Sequence, residues 1–382
     1  MIDTQRVAAL ALHFEIRRAE LVDLVRQLVE RESPSDDPER VSALAAWVAA
    51  RLRSAGIEAA TVPCPGGGDA VLARWGAPTG GHLVLGHLDT VWPAGTLAEE
   101  PFRVEPGLLR GPGSFDMKAG AAVAIAVLEA IGRGEVEPCS GGALLLTGDE
   151  ETGSAASSQL VVAEARKRAA VLVMEPSADG GAAKIARKGV GTVHARFHGV
   201  AAHAGLEPER GASALLELAR LAVFADALGD AEVGTSVVPT VAAAGSRKNV
   251  VPERAELTID FRFWTDAEGA RVLSALTGHR PLDGRVSLEI GGGLDRPAME
   301  ASPESLAVYH RAAGIARQMG FDLPPARVGG ASDGNLTAAA GVPTVDGLGP
   351  AGGGAHARSE HVYVEELPRR AALLAALLEE RG

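Results

Sequence analysis

Cysteine is scarce in this sequence. Cys64 and Cys139 are its two cysteines among 382 residues, and neither has a Cys or His neighbour at ligand spacing. That excludes a disulfide framework and a cysteine-ligated metal. No run of about 18 uninterrupted apolar residues is present, so no membrane-spanning segment is expected. The opening stretch MIDTQRVAALALHFEIRRAE carries acidic residues early and charges through its apolar part. It lacks the secretory order of basic residues, apolar core and cleavage site, and a cytoplasmic protein is the expectation. Positive charge is also in short supply. With 37 Lys and Arg against 49 Asp and Glu the net charge is -12, which argues against a nucleic-acid partner. The excess acid has two readings, a solvated acidic surface or carboxylates that hold cations.

What is present is the composition of a globular enzyme, 46% hydrophobic and 23% charged. The length exceeds what one hydrophobic core usually serves, so two domains are expected. Leu21, Leu24, Val25 and Leu28 recur at helical spacing, as do Val41, Leu44, Val48 and Leu52. Asp37-Pro38 opens the second helix and Gly56 closes it. Short apolar runs follow: AVLARW, HLVLG, ALLLT and VLVM, with the helical stretch AGAAVAIAVLEAIGRG between the second and third. Strands alternating with helices imply an α/β domain with parallel pairing. Near residue 187 the pattern changes to two helices among about four strands, a small α+β sandwich. From Ser302 the alanine-rich helical style returns. One domain inserted into another is therefore expected, with 187–299 placed inside a catalytic domain made of 1–186 and 300–382. The runs GGG and AGGGA read as loops.

Five polar signals stand out. In GHLDTVWP, His87 and Asp89 follow directly on an apolar run and are two apart, so they share a side of extended chain. A histidine ligand with a carboxylate beside it is a common metal-site pair. In GPGSFDMKAG, Asp116 occupies a glycine-rich loop that opens a helix. Glycines before a helix also suit an anion, but the loop lacks a P-loop ending, and Asp116 with Lys118 could be a solvated pair. In GDEETG, Glu150 and Glu151 follow another apolar run. Adjacent side chains diverge, so one ligand and one general base is a sensible division. Glu175 ends VLVM in MEPS, and GGGAHARSE places His356 in a glycine loop with His361 nearby. Each has a bland reading alone. Together they place acidic and imidazole groups after consecutive strands, where α/β sheets build their sites. Oxygen and nitrogen donors without sulfur suit a pair of divalent ions such as Zn2+.

A rival reading is a serine hydrolase. Gly330-Ala331-Ser332-Asp333-Gly334 matches a nucleophile elbow, with Asp346 and His356 in the required order. The preceding PPARVGG is short and proline-headed, and the other polar sites would stay unexplained.

GHLDTVWP, GPGSFDMKAG, GDEETG, MEP, AHAG, RKNVVP, DFRF, GGASDGN and AHARSE occur in this order. As a set they resemble the co-catalytic zinc peptidase family of glutamate carboxypeptidase, aminoacylase, acetylornithine deacetylase and succinyl-diaminopimelate desuccinylase. The resemblance runs from about the first helix to the end and is greatest to the glutamate carboxypeptidase branch. It implies a catalytic domain with a mixed, largely parallel sheet flanked by helices and an inserted ferredoxin-like lid and dimerisation domain. It implies that His87 and Glu175 hold one ion, Glu151 and His356 a second, and Asp116 both. Glu150 would be the general base and Asp89 would orient His87; whether His356 or His361 ligates stays open. The departure is DMKAG, where the family usually has a second glycine in place of Ala119. From the inserted domain, His203 would steady the oxyanion across a homodimer, while Asn249, Arg262 and Arg296 would hold the substrate carboxylate, though Arg262 could simply pair with Asp260 or Asp266. The implied activity is cleavage of an amide next to a free carboxylate, with a small peptide or N-acyl amino acid as substrate.

Overall fold

In the computed structural model, residues 2–380 are described. The chain forms two compact units, one of residues 1–186, 301–328 and 332–382 and the other of 187–300 and 329–331. At the centre of the first is a six-stranded sheet. Its order is Glu58–Val62, Ala70–Trp75, Gly142–Thr147, His82–His87, Ala170–Val173 and Thr344–Val345. The first two strands pair antiparallel and Ala70–Trp75 pairs antiparallel with Gly142–Thr147. The remaining pairings are parallel, so the sheet is mixed and largely parallel.

Its central strands are apolar on both faces because both faces are covered. Alternate residues divide cleanly. Val84, Leu144, Leu146 and Leu172 join the core formed with the helices Arg18–Val29, Pro38–Ser54, Ala119–Gly132 and Glu366–Glu379. Leu83, Leu85, Ala143, Leu145, Val171 and Val173 face a second cluster that includes Val161 and Ala165 of the helix Ser158–Ala165. The helix Pro38–Ser54 starts as its sequence requires, with the Asp37 side chain accepting from Arg40 N and Pro38 in the first turn. From His82–His87 one crossover leads to Gly142–Thr147 and the next returns past it to Ala170–Val173. All three strands point the same way, so His87, the turn after Thr147 and the segment after Val173 share one sheet edge.

The second unit runs strand, helix, two strands, helix, strand: Gly189–His198, Ala214–Asp226, Ser236–Ala244, Arg254–Phe263, Asp266–Gly278 and Ser287–Arg296. Its antiparallel sheet has the first and third strands in the centre, the ferredoxin-like order. Phe197, Phe261, Phe263, Val272 and Leu276 fill its core. The GGG run at 291–293, expected as a loop, lies within the last strand, opposite His194, Val193 and Thr192. Glycine runs signal turns through local preference alone, and here the ladder to the neighbouring strand overrides it. The AGGGA run is likewise part of a small sheet, with Gly352–Gly353 paired to His361–Tyr363.

Candidate metal centre

Four of the acidic and imidazole side chains stand at or just beyond strand ends for the topological reason just given. His87 closes its strand and is 1% exposed. Glu150 and Glu151 lie in a single 3-10 turn directly after the strand Gly142–Thr147. Glu175 follows Ala170–Val173 by two residues. Asp116 arrives on the glycine-rich loop that leads into the helix Ala119–Gly132, and His356 on the loop before His361–Tyr363.

These six meet. His87 Nε2 is 3.4 Å from Asp116 Oδ1 and 3.4 Å from Glu175 Oε1. His356 Nε2 is 3.3 Å from the other Asp116 oxygen and 3.2 Å from Glu151 Oε2. Asp116 therefore faces one imidazole with each oxygen, and two donor triplets share it. Glu150 reaches the first triplet: donor atoms of His87, Glu150 and Glu175 lie within 4.8 Å of one another. His356 holds a left-handed backbone with φ 60°, unusual for a residue with a side chain. His361 is engaged elsewhere, its Nδ1 2.9 Å from the Ser359 carbonyl.

A divalent cation fits these donors. Neither His87 Nε2 nor Glu151 Oε1 has a hydrogen-bond partner although both are buried. Four carboxylates crowd two imidazoles in a largely buried space, which is costly without added positive charge. The electrostatics record that demand. Burial pushes the Glu151 carboxyl up to about 7, with Asp116 adding to it. Contact with Asp116 raises His356 to about 9. Burial alone would lower His87, but Asp116, Asp89 and Glu175 carry it well above its ordinary value. Burial would likewise raise Asp116, yet the two imidazoles hold it well below the carboxylate range. Protons and metal ions compete for such donors.

Asp89 does more than face an imidazole. His87 Nδ1 lies 3.0 Å from the Asp89 backbone carbonyl and 3.4 Å from its Oδ1. The Asp89 carboxylate also accepts from Ser35 Oγ at 2.7 Å and from the backbone N–H groups of Glu150 and Glu151 at 3.2 and 3.1 Å. It thus ties the turn carrying both glutamates to the end of the His87 strand.

The glycine-rich loop is an anion cradle, filled from within. Gly113 N donates to Glu360 Oε2 at 2.9 Å, and Phe115 N and Asp116 N to Oε1 at 2.8 and 3.0 Å. Trp92 Nε1 adds a fourth donor at 2.8 Å. Glu360 was visible in HARSE as a carboxylate four residues after His356, but its backbone donors leave no mark in a sequence. Lys118 is no solvated partner for Asp116. It is 1% exposed, donates from Nζ to the carbonyls of Leu28 and Arg31, and is pushed down to about 7 by burial. Gly120 explains the DMKAG spelling. A Cβ there would lie 2.0 Å from the Met174 carbonyl oxygen, so the glycine is required at 120 while Ala119 packs without difficulty.

The serine-hydrolase reading is contradicted. Ser332 is 1% exposed, caps the helix Asp333–Ala339, and donates to Asp346 Oδ2 at 2.6 Å with no imidazole between them. His356, the base that reading needs, belongs to the carboxylate cluster.

In the second unit the four expected residues separate into pairs. Arg262 and Arg296 both lie opposite Val190, in one row across the sheet. Arg262 is held by Asp260 through two 2.9 Å hydrogen bonds. His203 and Asn249 sit beyond the other end of the same central strand, where Ala204 N donates to the Asn249 carbonyl and His203 bridges to Val250. Val190 and His198 are eight residues apart on that strand, so at about 3.3 Å per residue the pairs are about 25 Å or more apart.

A doubly covered α/β sheet with buried carboxylates and imidazoles gathered at its carboxyl edge defines a metal-dependent hydrolase. The chain belongs to peptidase family M20/M25/M40, whose model matches residues 83–380. It is 29% identical over 372 residues to carboxypeptidase G2 of Pseudomonas sp. strain RS-16, covering 95% of this chain and 89% of that protein. It is 29% identical over 384 residues to a succinyl-diaminopimelate desuccinylase of Thioalkalivibrio sulfidiphilus, covering 94% and 98%. Among solved structures, aminopeptidase PepT from Bacillus cereus superposes with a TM-score of 0.77 at 22% identity, over 95% of this chain and 98% of that one. A dinuclear metal binding peptidase from Bacillus subtilis does so at 0.69 and 15% identity, over 95% and 98%. The chain is thus a metallopeptidase-family hydrolase with a candidate cluster of divalent-metal ligands, and no described helix is long and apolar enough to cross a membrane.

Proposed function

We propose that this chain is a cytoplasmic two-zinc carboxypeptidase that cleaves the amide next to a free C-terminal carboxylate, releasing an amino acid such as glutamate. The observation that carries this reading is the pair of donor triplets sharing Asp116, with Glu150 beside the first. His87, Asp116 and Glu175 would hold one ion, and Asp116, Glu151 and His356 the other. When bound, such ions supply Lewis acidity that makes water nucleophilic near neutral pH and polarises the scissile carbonyl.

The chain's own groups do the rest. Glu150 accepts the proton of the attacking water as its oxygen bonds to the carbonyl carbon, then delivers that proton to the leaving nitrogen as the C–N bond breaks. Asp89 keeps Glu150 and Glu151 in register with His87 through their backbone N–H groups. Arg262 and Arg296 would provide cationic N–H donors for the substrate carboxylate, Arg262 by exchanging its pairing with Asp260 for it. His203 and Asn249, at the other end of that sheet, would serve a second copy's active site, His203 donating to the developing oxyanion. What supports a homodimer is the second unit's edge strand Ser236–Ala244, with Val238 and Val241 exposed, beside a helix exposing Leu215, Leu216, Val223 and Phe224. An uncovered apolar strand edge of this kind calls for a covering partner.

A second reading, deacylation of an N-acyl amino acid, is favoured by the desuccinylase relative. Release assays over dipeptides and N-acyl amino acids with varied C-terminal residues decide between them. Turnover of C-terminal glutamyl peptides that stops with a chelator and returns with zinc is the expected result. Turnover of acyl amino acids alone would replace it with the second reading, and chelator-resistant activity would sink both.

A further inference from the structure

We propose that Glu360 is a positioning residue of the metal centre, the built-in anion that fixes Asp116 between its two imidazoles. The inference rests on the two-metal reading above. Three segments converge on this one side chain. Trp92 belongs to the segment that leaves the His87 strand, Gly113, Phe115 and Asp116 to the glycine-rich loop, and Glu360 itself to the loop of His356. Its two oxygens take four N–H donors at 2.8–3.0 Å, and its side chain is almost fully buried.

One of those donors is the backbone of Asp116 itself. A loop rich in glycine has little intrinsic preference for one backbone path, so a charged acceptor holding three of its N–H groups determines where the Asp116 carboxylate points. The contact also fixes the spacing between Asp116 and His356, since His356 lies four residues before Glu360. Two of the three donors in the second triplet, Asp116 and His356, stand on segments that Glu360 joins. In the first triplet Asp116 does so directly, while His87, on the segment that leads to Trp92, is already fixed by the pairing of its strand with Gly142–Thr147. Loss of Glu360 must therefore weaken the second cation position more than the first. A purely structural role would lower stability without favouring either position.

The test is zinc content and affinity in Glu360→Gln, measured on the full chain equilibrated at fixed free zinc. A glutamine offers one acceptor oxygen and turns an NH2 toward the remaining N–H groups. The expected result is affinity weaker by roughly 10- to 100-fold, the range for lost outer-sphere partners. It should be concentrated in one of the two ions, so that content falls from two toward one per chain. kcat should fall in parallel while KM changes by less than about threefold, and a cobalt-loaded sample should lose the absorption of one site. Glu360→Asp, which keeps the charge and shortens the reach, should recover part of the lost affinity. Should Glu360→Gln not fold, Glu360→Asp decides alone, with weakened binding at one position supporting the role. Two ions at wild-type affinity and kcat in the folded variants would overturn it. Wild-type protein that holds two ions beside an unaffected variant sinks this inference alone; wild-type protein that holds none sinks the two-metal reading.

Discussion

The strand His82–His87 has a histidine at each end, and the two have opposite acid–base character. His82 is pushed down to about 4, by burial first and Arg311 second. His87 is more deeply buried, yet Asp116, Asp89 and Glu175 carry it well above its ordinary value. Burial disfavours the imidazolium at both ends. The reversal at one end is due to the carboxylates that gather there. Parallel neighbours send their C-terminal loops to a single edge, so acidic groups accumulate at His87 and none reaches His82. The carboxyl edge of the sheet gathers acidic groups around its histidine, while at the other end burial and Arg311 act on His82 without a carboxylate to offset them.

The largest effect expected from disturbing the charged edge is at Glu150. Glu150→Gln keeps the shape and removes the base, so kcat should fall by about 10²- to 10⁴-fold. Zinc content, measured on the same sample, should stay at the wild-type level. Equal loss of metal and activity would make Glu150 a ligand and not the base.

The antiparallel sheet of the second unit offers a contrasting case. Its strands alternate in direction, so polar residues proposed for one reaction can lie at opposite ends, as the Arg262–Arg296 and His203–Asn249 pairs do. The pairs should respond differently. His203→Ala should lower kcat by about 10²-fold, the scale of one lost oxyanion donor, with little change in KM. Arg262→Ala should raise KM for carboxylate-bearing substrates by about tenfold and leave an amidated analogue unaffected. Identical kinetic signatures would mean the two ends share one task.

A smaller effect separates the ends of the helix Ala119–Gly132. A Cβ at Gly120 would lie 2.0 Å from the Met174 carbonyl oxygen, next to Glu175, and one at Gly132 would lie 2.0 Å from the Ala55 carbonyl oxygen. Either alanine variant should lose about 1–3 kcal/mol of stability to overpacking, read by denaturant titration. Gly120→Ala should also weaken zinc binding, because Glu175 moves with its neighbour, while Gly132→Ala should not. Equal zinc affinity in both would show that the charged edge tolerates displacement.

How much of this was legible beforehand follows the same division. His87, Glu150, Glu151 and Glu175 were readable because each closes or closely follows an apolar run, and parallel topology turns that order into proximity. Asp116 and His356 stand on glycine-rich loops, where residue type and motif order carried the reading and spacing carried little. Glu360 escaped because three of its four donors are backbone N–H groups. The separation of Arg262 from His203 escaped because strand direction in the small sheet is not written in periodicity. The glycines at 291–293 misled for a related reason: local preference marks a loop, and the ladder to Thr192–His194 makes a strand.

The smallest effect lies at the quiet end of the sheet, and its sign tests the comparison directly. His82 has a folded value of about 4 against 6.5 for the free side chain. Between those values the unfolded chain binds a proton that the folded chain refuses, so stability falls as pH drops from about 6.5 toward 4 and levels off outside that window. His82→Gln removes the titration and keeps a polar side chain of similar reach. Relative to neutral pH, wild-type protein should therefore lose on the order of 1 kcal/mol more than the variant by pH 5, after allowance for partial exposure. Urea titrations of both proteins at pH 5 and 7 measure this difference of differences, in which acid effects common to both, loss of metal among them, cancel. A variant that loses as much stability as wild type would mean His82 is solvated enough to take its proton in the folded state. The contrast between the two ends of the strand would then rest on His87 alone.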